Sequence, residues 1–195
     1  MFIDYITLLL VNAAAGLLLT AFYLVWGLDR PHQNHWAAGF AAVSVVALAA
    51  GLHMALTWPV PRLPEANLVW ANVAFGELTV LAGALFLAMA LATAKNWPLT
   101  GVAPLALVWG LTAMVIGAYM IRLNLSNAPL LTGSAIILAG AAAVGAAPLF
   151  ARVRPPGSVP MIRGLLAVML AVAAGIFLFI AAGAYLVHLR TYSQP

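Results

Sequence analysis

A few ionisable residues stand out in a chain where only 6% of residues are charged. His53, Glu77 and His188 fall inside or at the ends of long apolar runs; Asp4 opens the first run and Arg122 closes the fourth. A titratable side chain at membrane depth is costly unless it is paired, hydrated or put to use. His53 precedes Trp58 by one helical turn and a residue, which sets it about 7 Å below that surface at 1.5 Å per residue. The same arithmetic puts Glu77 roughly 13 Å into its run. Asn12, Asn72 and Tyr119 fall in the same membrane half, so several spans send a polar group toward one face.

Three kinds of chemistry fit this set. In the first, His53 and His188 ligate a transition metal or a b-type haem. Glu77 or Asp4 is then a further ligand or orients an imidazole, and Arg122 balances carboxylate or propionate charge. In the second, His53, Glu77 and His188 line a proton or ion path. In the third, Glu77 pairs with His53 or Arg122, locks the helices together and binds nothing. Whether any of these is enzymatic stays open.

The elements that must carry these residues are transmembrane helices. Of 195 residues, 66% are apolar, whereas a soluble domain carries about a quarter charged residues to solvate its surface. Crossing about 30 Å of hydrocarbon takes roughly 20 mainly apolar residues. Six stretches meet that demand: 5–26, 36–58, 68–94, 99–122, 129–151 and 161–189. The breaks between them hold most of the charges and prolines. Trp26, Trp36, Trp58 and Trp97 mark boundaries where indole prefers the headgroups. The expected fold is an all-α, six-helix membrane bundle forming a single domain, with a polar pocket toward one face. Asp4 stands where a secretory leader carries positive charge, so the first run reads as a retained helix.

Lys and Arg counts in short loops set orientation. Arg30, Lys95, Arg152, Arg154 and Arg163 fall on one side, and Arg62, Arg122 and Arg190 on the other. The richer side reads as cytoplasmic, which puts both termini on the non-cytoplasmic side of the cell membrane. Cysteine is absent, so disulfides and thiolate chemistry are excluded. The scattered +4 net charge forms no basic stripe, which speaks against nucleic acid as a partner. No P-loop, dinucleotide-binding glycine pattern, metalloprotease helix or nucleophile elbow occurs. His32 and His35 read as solvated loop residues, and Arg152 and Arg154 as a topology anchor. Small residues crowd the fifth helix (Gly133, Gly140, Gly145) and the sixth (Ala171, Gly175, Gly183). In lipid, such residues let backbones approach closely.

The chain also resembles a prokaryotic family of multi-spanning membrane proteins catalogued as domain of unknown function 981. The resemblance rests on Phe2-Ile3-Asp4, on Gly51-Leu52-His53-Met54 with Thr57-Trp58-Pro59, and on Asn72 with Phe75-Gly76-Glu77. It continues through Ala184-Tyr185 and His188-Leu189 and covers nearly the whole chain. It departs from that pattern in the longer connection after Pro59. The resemblance implies no activity, substrate or cofactor; it singles out Asp4, His53, Glu77 and His188. The resulting expectation is a membrane redox or metal-binding protein, with haem b or a transition metal as cofactor. Its alternatives are an accessory subunit in contact with other membrane subunits or with copies of itself, and a small-solute or ion transporter. The lipid bilayer is the partner common to all.

Overall fold

The computed structural model describes residues 5–57, 69–152 and 159–192. Six helices long and apolar enough to cross a membrane account for nearly all of them: α1 (Tyr5–Gly27), α2 (Asn34–Thr57), α3 (Val69–Ala94), α4 (Leu99–Arg122), α5 (Pro129–Phe150) and α6 (Val159–Arg190). No strand occurs among the described residues. In hydrocarbon every backbone N–H and C=O must find a partner within its own segment, which leaves the helix as the economical solution for such runs.

The helix ends follow local chemistry. Asn96 and Asn124 adopt left-handed backbone angles, with φ of 53° and 52°. At each, the next N–H turns back to a carbonyl of the last turn: Trp97 to Ala92 at 2.8 Å and Leu125 to Met120 at 3.1 Å. This closure favours glycine, and asparagine is the side chain that tolerates it best. Arg152 holds the same conformation (φ 59°) after α5. Pro104 stands in the first regular turn of α4, which begins at Ala103 after the tighter turn Leu99–Gly101, and Pro129 opens α5; at such positions a missing N–H costs little. Two wide, π-helical turns interrupt the regular winding, at Tyr23–Gly27 in α1 and Asn72–Glu77 in α3.

The helices close into a ring in the order α3, α2, α1, α6, α5, α4, with α4 returning to α3 along the thinnest seam. One hydrogen bond crosses that seam, from Trp109 Nε1 to the Leu78 carbonyl at 3.1 Å. The α4–α5 pair is the most intimate. A Cβ built on Gly110 would stand 2.5 Å from the Gly140 carbonyl oxygen, and one on Gly117 would stand 2.7 Å from that of Gly133. The two glycine pairs are two turns apart, so the backbones touch along a straight line. In α6 the expected small-residue contact is absent: Gly164, Gly175 and Gly183 have nothing within 4 Å of an added Cβ.

Between α2 and α3, Ser44 Oγ donates to the buried Gly83 carbonyl at 2.8 Å. Further along, Gly51 packs on Val80 and the Gly76 carbonyl, and Gly76 faces the backbone of Ala55. This antiparallel register brings His53 and Glu77 to the same height. Where α1 meets α6 at the other end, Arg163 Nη1 pairs with Asp29.

Along the ring axis runs an apolar cavity of about 70 Å³, lined among others by Leu9, Ala74, Phe86, Ile136 and Phe177. A second of about 40 Å³ continues it toward Leu170. Asn12 reaches the first, and its Nδ2 donates to the Val43 carbonyl at 3.0 Å. The outer surface is equally apolar: Leu56 is 83% and Phe179 72% exposed. Large aliphatic and aromatic groups bared this way on every helix are at home in lipid and out of place in water.

Candidate functional site

His53 lies one turn before the end of α2 and is exposed. Its ring stacks on Tyr5 of α1, centroids 5.1 Å apart and planes 20° from parallel. Thr57, one turn on, donates its hydroxyl to the His53 carbonyl at 2.6 Å, and its Oγ1 lies 3.2 Å from Nδ1. The contact suits an Nδ1–H donor to Oγ1, and in that tautomer Nε2 is the ring nitrogen left to face a ligand.

Glu77 closes the wide turn of α3 and is exposed. It falls on the outward stripe with Val73, Leu81 and Ala84, while Phe75, Leu78 and Ala82 line the axial cavity. Among the described residues its carboxylate meets no hydrogen-bond or ion-pair partner. The helix start lies about 12 Å away at 1.5 Å per residue. Measured from Ala94 instead, Glu77 is about 26 Å along, which within a hydrocarbon layer of about 30 Å leaves it roughly one turn under the headgroups. The helix is longer than the hydrocarbon, and that overhang accounts for the difference. Beside Glu77, the amide of Asn72 ties the two helices by donating to the Ala55 carbonyl at 3.3 Å.

His188 is half-buried near the end of α6, and Arg122 is exposed at the end of α4. Asp4 lies outside the described residues. Chain direction brings the start of α1, the ends of α2, α4 and α6 and the start of α3 to one end of the bundle, so His53, Glu77, Arg122 and His188 share that end. Among the described residues no three of His, Cys, Asp or Glu stand close enough to hold a metal ion. Sequence reasoning missed Tyr5 and Thr57 as partners of His53. The four-residue spacing of His53 and Thr57 was the available signal for the second; none pointed to the first. It also missed the Asp29–Arg163 pair, whose members are joined only by topology.

A ring of six lipid-facing apolar helices, with its titratable groups at the ends and none along the axial cavity, defines a multi-pass membrane bundle. The chain belongs to the family described as Protein of unknown function (DUF981), whose model matches residues 1–191. No curated protein and no solved structure matches it.

Proposed function

We propose that the chain is a non-enzymatic subunit of a cell-membrane assembly, with both termini on the non-cytoplasmic side. Glu77 on α3, with His53 level with it on α2, is the contact for a partner's spanning helix that offers a cation or a hydrogen-bond donor at that height. The outward carboxylate of Glu77, without a partner among the described residues, carries this reading. A carboxylate bared to hydrocarbon costs up to about 3 kcal/mol at the centre and less near the headgroups, and a donor from outside removes that cost. Passage of ions through the middle would need a continuous polar path along the axis, where the lining is mostly apolar.

The test is recovery of associated subunits after extraction of the protein into native-lipid discs. Glu77→Leu keeps an outward apolar side chain, so the fold should hold while partner recovery falls about tenfold, the loss of one charge-assisted contact. Glu77→Gln, which can still hydrogen-bond, should fall between. Unchanged recovery with Glu77→Leu would refute the proposal. A homo-oligomer as the sole associate would assign the contact to a second copy.

The imidazole of His53, with His188 at the same end, favours a second reading. In it His53 and His188 ligate haem b or a transition metal, Glu77 or Asp4 is a further ligand or orients an imidazole, and Arg122 balances charge. An absorption spectrum and metal analysis of the same preparation decide it. A Soret band or bound metal lost on His53→Ala would put this reading first.

A further inference from the structure

The end of the bundle opposite His53 and Glu77 holds a polar pocket of about 320 Å³. It lies where the α1–α2 turn meets the ends of α3 and α5, and Asp29, Arg30, Gln33, Asn96, Trp97 and Arg152 contribute to its walls. The α1–α2 and α3–α4 connections are stitched together at its floor: the Gln33 backbone N–H donates to Asn96 Oδ1 at 2.7 Å. Gln33 Nε2 turns inward to the Leu28 and Arg30 carbonyls, both at 3.2 Å, and its Oε1 accepts from Tyr23 at 2.6 Å. These bonds hold the pocket's shape and decide which atoms are left for a ligand.

What is left is cationic and donating. The one wall carboxylate, Asp29, is neutralised by Arg163. Among the described residues Arg30 spends only its Nε, on the Trp26 carbonyl at 3.3 Å, so both terminal nitrogens remain. The Arg152 guanidinium has no hydrogen-bond partner among the described residues, and its backbone holds a left-handed conformation (φ 59°) that asparagine fills at the two comparable helix ends. With Oδ1 taken as acceptor by the Gln33 N–H, the polar group left to Asn96, which lines the pocket, is its Nδ2 donor. Two guanidinium forks from separate elements plus an amide donor make a set that a tetrahedral oxyanion satisfies with several oxygens at once. A metal cation would meet two guanidinium charges there, with the wall carboxylate of Asp29 already paired to Arg163.

We propose that this pocket binds a phosphate-bearing group, held by Arg30 and Arg152 and seated on Asn96. Phosphate chemistry at a membrane face has two sources, the headgroup of an anionic phospholipid and a soluble phosphate ester, and one set of measurements separates them. The full chain is placed in discs of phosphatidylcholine alone or with phosphatidylglycerol, and bound lipid is counted by native mass spectrometry. Glycerol phosphate is titrated separately into the phosphatidylcholine discs, with Trp fluorescence as the readout.

Retained phosphatidylglycerol would assign the lipid source, and saturable glycerol phosphate binding the soluble one. In either case the affinity should fall about tenfold or more in the double variant Arg30→Ala, Arg152→Ala. Lys95→Ala, which removes a charge from the same face but not from the pocket wall, should stay within about twofold. The charge-preserving variant Arg30→Lys, Arg152→Lys should lose several-fold, because ammonium groups lack the planar fork. Full retention with lysines, a loss in Lys95→Ala as large as in the double alanine variant, or binding of neither probe overturns the proposal. Unfolding temperatures of all variants, expected within a few degrees of the parent, separate lost binding from lost fold.

Discussion

Gly110→Val should destabilise the bundle by about 2 kcal/mol or more, the largest effect expected of any single side chain added to it. The new Cβ would stand 2.5 Å from the Gly140 carbonyl oxygen and 2.9 Å from the Val144 side chain. A backbone oxygen cannot rotate away as a side chain does, so the helices must part. Parting them forfeits dispersion contacts along the whole line from Gly110 to Gly133, and in lipid no apolar burial replaces what is lost. Gly140→Val should cost the same, its Cβ meeting the Gly110 carbonyl oxygen at 2.6 Å. Together the two should cost less than their sum, because the first already opens the gap. Gly175→Val on α6 is the internal control: with open space around it, its effect should stay within about 0.5 kcal/mol. Reversible unfolding in mixed micelles, followed by circular dichroism, measures all four. Equal sensitivity at Gly110 and Gly175 would mean that α4 and α5 are not in backbone contact.

The Asp29–Arg163 pair should give an effect of comparable size, and its two halves should respond unequally. The Arg163 side chain is 11% exposed and that of Asp29 52%, and Arg163 Nε and Nη2 have no partner among the described residues. Asp29→Ala strands a nearly buried cation and should cost about 3 kcal/mol, the lower end for broken buried pairs because water reaches the Asp29 side. Arg163→Met leaves a carboxylate that is already half hydrated and should cost about 1 kcal/mol. Combining them should recover most of the loss seen with Asp29→Ala alone, since no stranded charge remains. The same unfolding assay reads the series. A loss in Arg163→Met equal to that in Asp29→Ala would show that the two charges are equally hydrated.

The six helices were legible because hydrocarbon thickness imposes one simple requirement, a run of sufficient length, and the breaks are punctuated by Pro, Asn and Gly. Which way each helix faces was far less so. In a soluble helix the polar side announces the exterior; here the outside and the inside are both apolar, and that signal vanishes. The crowding of Gly133 and Gly140 was readable as packing, but their partners Gly110 and Gly117 were not, and the similar crowding in α6 turned outward. The titratable residues show the same division. That His53, Glu77, Arg122 and His188 gather at one end follows from counting spans. The bearing of His53 toward Tyr5, and of Glu77 away from the axial cavity, depends on helix rotation, which the wide turn before Glu77 changes. The polar pocket at the opposite end was hidden for another reason: Arg30, Asn96 and Arg152 come from three connections, and Arg152 read alone is an ordinary loop cation.

Those wide turns carry a consequence for how the family's chains can vary in length. Each accommodates one amino acid more than a regular winding would hold. Removing one there would let the strand of backbone rewind without swinging anything downstream, whereas a loss elsewhere in a span would spin the remainder by about 100° and scramble its neighbours. Glu77 sits at the lip of such a spot, so its compass heading can be reset by indels that spare the rest of α3.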